Sequence, residues 1–321
     1  VTIIRQPTRA GVRDAAAKVA ATLPPTPLFT AEIHGKTVAL KAESLQPIGA
    51  FKIRGAWHRL TALDEATRRR GVVAFSSGNH AQGVAWAARR LGMAATIVMP
   101  ADAPRAKVEG TLALGAEVVS YDRERESREL IAARLAEARG ATLVPSFDDP
   151  WIIEGQGSTG IEATTQMQEA GLGQPTRVIV PCGGGGLAAG IALALPDAAI
   201  TVVEPEGWDD MRRSLEASWI EPVGDSPPPT ACDALQTKIV SPLTFDVLSR
   251  RDATGVTVSE KQIAAAQRWA AETLRLVVEP GGAVALAAVL SGAAPVTDGT
   301  LIILSGGNVD IAAYARALAA R

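Results

Sequence analysis

The chain has 321 residues, 47% apolar, 21% charged and 4% aromatic, a globular composition long enough for two domains and unlike a disordered or coiled-coil segment. Thirty-two Lys and Arg against 34 Asp and Glu leave a formal charge of −2, so no net positive field draws in nucleic acid or an anionic membrane. Two cysteines (Cys182, Cys232) and three histidines (His34, His58, His80) are too few and too scattered for a disulfide framework or a zinc site, and they imply a reduced, cytoplasmic setting.

From the N-terminus, residues 1–21 carry Arg5, Arg9, Arg13, Asp14 and Lys18 among alanines, which predicts an amphipathic helix. Short β-branched runs predict strands at Thr37–Ala42, Val72–Ser76, Ala95–Met99, Glu117–Tyr121, Arg177–Pro181, Ile200–Glu204 and Thr300–Leu304. Helical patterns fall between them, at Asn79–Leu91, Ser127–Ala138, Ser158–Ala170, Gly186–Leu195, Glu260–Leu274 and Gly282–Leu290. Unbroken apolar strands alternating with helices predict an open α/β architecture with parallel sheets covered on both faces. The strand positions divide the chain into a small unit, 51–146, and a larger one assembled from 1–50 and 147–321. The longest apolar stretches, Leu187–Leu195 and Ala283–Leu290, fall short of the roughly 18 residues a membrane span needs.

Four segments put glycine or small polar residues where a strand hands over to a helix, the place where open parallel sheets bind ligands. In Pro181-Cys182-Gly183-Gly184-Gly185-Gly186-Leu187, four successive glycines let the backbone approach an anion, and the helix that follows adds its positive end; a flexible loop without a ligand is the alternative. Lys52 follows a strand, at the start of a helix, hemmed by Ile48, Phe51 and Ile53, surroundings that lower an amine's pKa and make it nucleophilic. Ser76-Ser77-Gly78-Asn79-His80 fits either plain helix capping or capture of a carboxylate on free N–H groups. Ser305-Gly306-Gly307-Asn308 offers a hydroxyl at a strand end.

Together with Gly49–Ala56 and Glu279-Pro280, these motifs resemble the pyridoxal-phosphate enzymes of the tryptophan-synthase-β fold (fold type II), and within them the threonine/serine dehydratase and serine racemase group. The resemblance covers nearly the whole chain. It implies two open parallel-sheet domains with pyridoxal phosphate between them, and Lys52 as the Schiff-base lysine. Gly183, Gly184, Gly185, Gly186 and Leu187 would then hold the cofactor phosphate, with Phe51, Asn79, Glu279 and Ser305 around the ring. Asn79 would face the phenolic oxygen, and Ser305 the pyridine nitrogen, where a serine in place of an aspartate favours elimination over transamination. Ser76, Ser77, Gly78, Asn79 and His80 would bind the substrate carboxylate, Ser77 also matching the second acid/base of the racemases.

The same resemblance implies a metal loop at Glu204–Asp210, with the carboxylates of Glu204 and Asp210 and the carbonyl of Trp208 on Mg²⁺ (or Ca²⁺ or Mn²⁺). It implies a homodimer and, because the chain ends at Arg321 soon after the last motif, no appended regulatory domain. Two positions depart from the family pattern: Ala50 replaces a serine before Phe51-Lys52, and Cys232-Asp233-Ala234 replaces Ala-Asp-Gly. The implied activity is removal of the 3-hydroxyl of an amino acid such as L-threonine or L-serine, giving a 2-oxo acid and ammonia. Alternatives are 3-hydroxyaspartate as substrate, with Arg128 pairing the second carboxylate, and serine racemisation. A non-catalytic cofactor carrier and a β-replacement enzyme are readings of other classes.

Overall fold

The computed structural model describes residues 5–76, 78–103 and 105–319. Helix α1 (Arg9–Ala20) starts where the Thr8 hydroxyl accepts from the Gly11 N–H at 3.0 Å, so the described part of the helix expected over 1–21 begins at residue 9. Strands β1 (Leu28–Ile33) and β2 (Lys36–Ala42) form an antiparallel hairpin. Its two turn residues, His34 and Gly35, have φ of 52° and 71°, the paired left-handed conformation that a two-residue hairpin demands.

Next come α2 (Lys52–Thr61), α3 (Glu65–Arg70), β3 (Val72–Phe75), α4 (Asn79–Arg90), β4 (Ala95–Pro100) and α5 (Arg105–Ala113). They are followed by β5 (Glu117–Tyr121), α6 (Arg128–Arg139), β6 (Thr142–Leu143), α7 (Pro150–Glu169), β7 (Arg177–Pro181) and α8 (Gly186–Ala194). The remainder is β8 (Ala199–Pro205), α9 (Asp210–Ala217), α10 (Pro242–Ser249), β9 (Thr254–Val258), α11 (Glu260–Trp269), α12 (Pro280–Leu290), β10 (Thr300–Leu304) and α13 (Ile311–Ala319). Among the described residues no helix is long and apolar enough to cross a membrane.

The strands make two sheets, one of order β1-β2-β10-β7-β8-β9 and one of order β5-β4-β3-β6. Among the described residues every pairing between these strands except β1–β2 is parallel, so the expected parallel sheets carry one antiparallel edge hairpin. Both faces of the larger sheet are buried at its central strands β7, β8 and β10, as their apolar runs require. Val178, Val180, Leu301 and Ile303 share a core with Ile153 of α7 and Ile191 of α8. The alternate residues Ile179, Ile302 and Leu304 turn to Ile263 of α11 and Val284 and Leu286 of α12. In the smaller sheet Ala74 and Ile97 meet Ile53 and Leu60 of α2 and Val84 of α4.

Two helices differ from expectation. Helix α7 starts at Pro150 rather than Ser158, because the Asp149 carboxylate accepts from the Ile152 N–H at 3.0 Å and caps it. The glycines that obscure its period allow a close crossing with α8: a Cβ on Gly157 would stand 2.4 Å from the Gly190 carbonyl oxygen. Helix α11 stops at Trp269 and passes into a π turn, Ala270–Leu274, ended by Arg275 at φ 60°.

Helix α2 is anchored by buried charge. Arg54, fully buried, donates to Glu43 at 2.7 and 2.8 Å and to Glu162 at 2.9 and 3.0 Å. Lys41, also fully buried, donates to Glu162 at 2.5 Å, to the Thr26 carbonyl at 2.7 Å and to Gln166 at 2.6 Å. Two cations face two carboxylates, so the network is neutral, and it holds the helix two residues from Lys52.

Candidate active site

A cleft of 820 Å³ opens where β3, β7 and β10 end, lined among others by Phe51, Lys52, Asn79, Glu279, Ser305 and the four glycines 183–186. It brings together the four segments singled out in the sequence, which are far apart along the chain.

Lys52 is the first residue of α2. Its helix entrance is pinned to the end of β10, because the Phe51 N–H donates to the Ser305 carbonyl at 3.1 Å and Ala50 bridges to Gly306. The Lys52 Nζ donates to the Ser146 carbonyl at 3.0 Å and lies 5.1 Å from the centre of the Phe51 ring. Burial lowers its pKa to about 8, against the opposing charge of Glu279, so a useful fraction of the amine is neutral near neutral pH. The Ala50 side chain is fully buried, and its backbone bridge needs no hydroxyl.

The glycine turn leads directly into α8, whose N-terminus has no side-chain cap, leaving its first N–H groups for a ligand. Gly185 has φ 84°, and a Cβ on Gly184 would stand 2.3 Å from the Phe147 ring, so two of the four positions exclude larger residues. The Thr244 hydroxyl donates to the Gly184 carbonyl at 2.8 Å and fixes the turn from behind.

On the opposite side, Asn79 opens α4, again without a side-chain cap, and the Gly78 N–H donates to the Ser76 hydroxyl at 3.2 Å. Ser77 lies outside the described residues. His80 is buried, with Nε2 2.9 Å from the Val144 carbonyl. A carbonyl only accepts, so Nε2 carries the hydrogen. Burial first, then the Lys52 charge, drive the His80 pKa down to about 3 and keep the ring neutral. The imidazole therefore offers the cleft no N–H for a carboxylate, and of the two groups on this residue only the backbone N–H suits that task.

Glu279 precedes α12, and the Asn79 Nδ2 donates to its Oε1 at 2.7 Å. Burial, with the Asp233 charge adding to it, pushes the Glu279 carboxyl up to about 8, against the Asn79 hydrogen bond and the Lys107 and Lys52 charges. Ser305 is buried just past β10 and lines the cleft. At the mouth, Lys107 of α5 makes an ion pair with Asp233 across the opening. Arg128, the first residue of α6, also lines the cleft, its guanidinium carbon 5.5 Å from the Phe75 ring centre and its Nε 2.8 Å from Glu129.

Outside the cleft, Glu204, the residue before the last of β8, is fully buried and accepts from the Met211 and Arg212 N–H groups at 3.1 and 2.8 Å. Both oxygens of buried Asp210 lack a hydrogen-bond partner among the described residues. Burial, then the Asp210 charge, raise the Glu204 carboxyl well above its ordinary range, and burial pushes Asp210 up to about 7. The Trp208 indole N–H donates to the Pro228 carbonyl at 2.8 Å. Among the described residues no three His, Cys, Asp or Glu side chains cluster as metal ligands, so a cation here would draw on two carboxylates, carbonyl oxygen and water.

The family model of pyridoxal-phosphate dependent enzymes matches residues 19–306. The chain belongs to this family. It is 43% identical over 302 residues to the L-threo-3-hydroxyaspartate ammonia-lyase of a Pseudomonas species, covering 91% of this chain and 92% of that one. It is 37% identical over 322 residues to the serine racemase of Schizosaccharomyces pombe, covering 97% of each. Among solved structures, a threonine deaminase from T.th. matches with a TM-score of 0.88 at 41% identity, over 95% of this chain and 99% of that one. Maize serine racemase matches with a TM-score of 0.90 at 34% identity, over 98% of each.

As a pyridoxal-phosphate dependent enzyme, the protein needs a lysine amine, an anion cradle and polar groups around an aromatic ring, and the cleft carries all three. Ser146, Phe147, Lys107 and Thr244 carry no signal in the sequence, because each acts through a partner distant in the chain. The motif of Asn308 stands out in the sequence, but nothing there gives its side chain a role.

Proposed function

We propose that the protein is a pyridoxal-phosphate-dependent ammonia-lyase that removes the 3-hydroxyl of a 3-hydroxy amino acid. The overall balance is one amino acid to one 2-oxo acid and one ammonia, the water lost in elimination being taken up again on hydrolysis. The observation that carries this reading is the Lys52 amine, half-buried and shifted to about 8, in one cleft with an uncapped glycine turn. The names of the ammonia-lyase relatives support it.

Bound in the cleft, pyridoxal phosphate supplies a carbonyl that captures amines and a conjugated ring that takes up charge from the substrate α-carbon. Lys52 would hold the cofactor through its Nζ and, with that amine free, would accept the substrate α-proton there. The N–H groups of Gly183–Leu187 and the positive end of α8 would hold the phosphate. Phe51 would pack beside the ring, Asn79, held by Glu279, would donate to the phenolic oxygen, and the Ser305 hydroxyl would face the ring nitrogen. The segment from Ser76 to His80 takes the substrate carboxylate on backbone N–H groups, with Ser77 as the second acid/base if racemisation accompanies elimination.

Arg128 favours a second reading, in which the substrate carries a further carboxylate, as in 3-hydroxyaspartate. It lines the cleft, and the relatives from Pseudomonas and yeast bear that substrate in their names. Measuring 2-oxo acid release from L-threonine, L-serine and the hydroxyaspartate diastereomers decides between the readings. Hydroxyaspartate turnover lost selectively in Arg128→Met supports the second, turnover of threonine or serine alone supports the first, and no release from any of them refutes both.

Glu204 and Asp210 fit a hard divalent cation such as Mg²⁺, with the Trp208 carbonyl and water completing an all-oxygen set. The two buried Asp210 oxygens, without a hydrogen-bond partner among the described residues, are the supporting observation. The division into 51–146 and 1–50 plus 147–321 fits the sheets, since β3 to β6 all fall within the first range. Helix α2 packs on both α4 and α7 and so ties the two units together. A homodimer acting in the cytoplasm completes the reading.

A further inference from the structure

We propose that Asn308 is a positioning residue that fixes the amide of Asn79, so that the one N–H of Asn79 left over is presented to the cofactor. The inference rests on the cofactor reading above and adds a residue to which that reading gives no task.

The assignment starts from an acceptor whose identity is not in question. The Asn308 amide lies 2.8 Å from the Ile48 carbonyl oxygen, and a carbonyl only accepts, so the Asn308 atom there is its nitrogen. The same nitrogen lies 2.8 Å from the Asn79 side chain. One hydrogen serves Ile48 and the other serves Asn79, which must answer with its oxygen. The Asn79 nitrogen is then turned to Glu279, 2.7 Å away. A backbone carbonyl thus sets the orientation of two side-chain amides in succession. Glu279 takes one of the two Asn79 N–H bonds, and the other has no partner among the described residues in a side chain that lines the cleft.

The surrounding backbone is shaped for this chain of bonds. Gly49 has φ 71°, and a Cβ there would stand 2.3 Å from the Asn308 Oδ1. A Cβ on Gly306 would stand 2.1 Å from the Glu279 Oε1 and 3.2 Å from the Asn79 Nδ2. Each glycine makes room for a member of the relay. Two further backbone bonds clamp the segments that carry it, Gly307 N–H to the Gly49 carbonyl at 2.8 Å and Glu279 N–H to the Gly306 carbonyl at 2.9 Å.

The test is a double-mutant cycle read in cofactor affinity and visible absorbance, not in turnover. Wild type, Asn308→Ala, Asn79→Ala and the double variant are stripped of cofactor and titrated with pyridoxal phosphate. Loss of one hydrogen bond to an anionic oxygen corresponds to roughly tenfold weaker binding, and that is the expected effect of Asn308→Ala in the wild-type background. In the Asn79→Ala background the same substitution is expected to cost less than about threefold, because the amide it would orient is gone. Loss of the Ile48 bond is common to both backgrounds and cannot create the difference. An equal factor in both backgrounds, or none in either, overturns the proposal. Should Asn308→Ala not fold, Asn308→Asp runs the same cycle at nearly constant volume. It replaces the donor by an acceptor, so the Asn79 amide is expected to turn over and the absorbance band to move as in Asn79→Ala; an unmoved band overturns the proposal. Wild-type protein that takes up no cofactor refutes the cofactor reading instead, an outcome distinct from an additive cycle in protein that does.

Discussion

Replacing Arg54 by methionine tests how far the position of Lys52 depends on buried charge. Arg54 makes four carboxylate contacts between 2.7 and 3.0 Å with no exposed surface. Without it, Glu43 retains the Thr26 hydroxyl at 2.7 Å and Gln46 at 3.2 Å, and Glu162 retains Lys41, but two carboxylates then share one cation. Breaking a buried pair from one side costs about 3–5 kcal/mol, and Lys41 holds this case to the lower end, about 3 kcal/mol. The cost depends on pH in a definite direction. Burial alone would raise the Glu162 carboxyl, but Arg54, then Lys41, outweigh it and hold it down to about 2, from an ordinary 4.5. That group's contribution is complete above pH 4.5 and is lost as pH falls through about 2, so the deficit of Arg54→Met is expected to narrow on acidification. Urea denaturation of the cofactor-free protein at neutral pH and at about pH 3.5 measures both quantities. The double variant Arg54→Met, Glu43→Met is expected to lose less than Arg54→Met alone, since it leaves one buried carboxylate fewer. A loss below about 1 kcal/mol at neutral pH, or a double variant worse than the single by the full cost of a second pair, would refute the reasoning.

Two further outcomes follow from buried groups. The Glu279 carboxyl, pushed from 4.5 to about 8, binds a proton in the folded state that the unfolded chain has released, so its contribution is lost as pH rises through about 8. Lys52, lowered from 10.5 to about 8, acts in the opposite sense, its contribution being present above 10.5 and lost as pH falls through about 8. Melting temperatures of the cofactor-free protein are expected to fall less between about pH 5 and pH 8 for Glu279→Gln than for wild type; parallel curves would contradict the assignment. For the proposed cation site, millimolar Mg²⁺ is expected to raise the melting temperature of wild type but not of Asp210→Asn, and an equal rise in both would place the ion elsewhere.

Much of this architecture is written in local pattern. Strands β7 and β10 are unbroken apolar runs because both of their faces are covered, and the glycine quartet and the apolar company of Lys52 stand out in a single window. Strand β1 carries no clear signal because it is a half-exposed edge, and the first two turns of α7, Pro150–Gly157, carry none because their glycines serve a helix crossing rather than a turn. What local pattern does not carry is partnership over distance. Arg54 with Glu162, Lys107 with Asp233, and Asn308 with Asn79 are joined only by the fold, and no spacing of residues announces them. The imidazole of His80 makes the same point: its motif suggests carboxylate binding, but the Val144 carbonyl decides which nitrogen carries the proton.

Lys52 is the residue proposed to hold the cofactor, and every other assignment in the cleft depends on it. Borohydride reduction of the cofactor-loaded protein fixes the cofactor covalently on whichever amine carries it, and peptide mass spectrometry then locates the label. The expected result is a single labelled peptide with the modification on Lys52, and no label in Lys52→Ala. Label on another lysine, or undiminished label in Lys52→Ala, would contradict it.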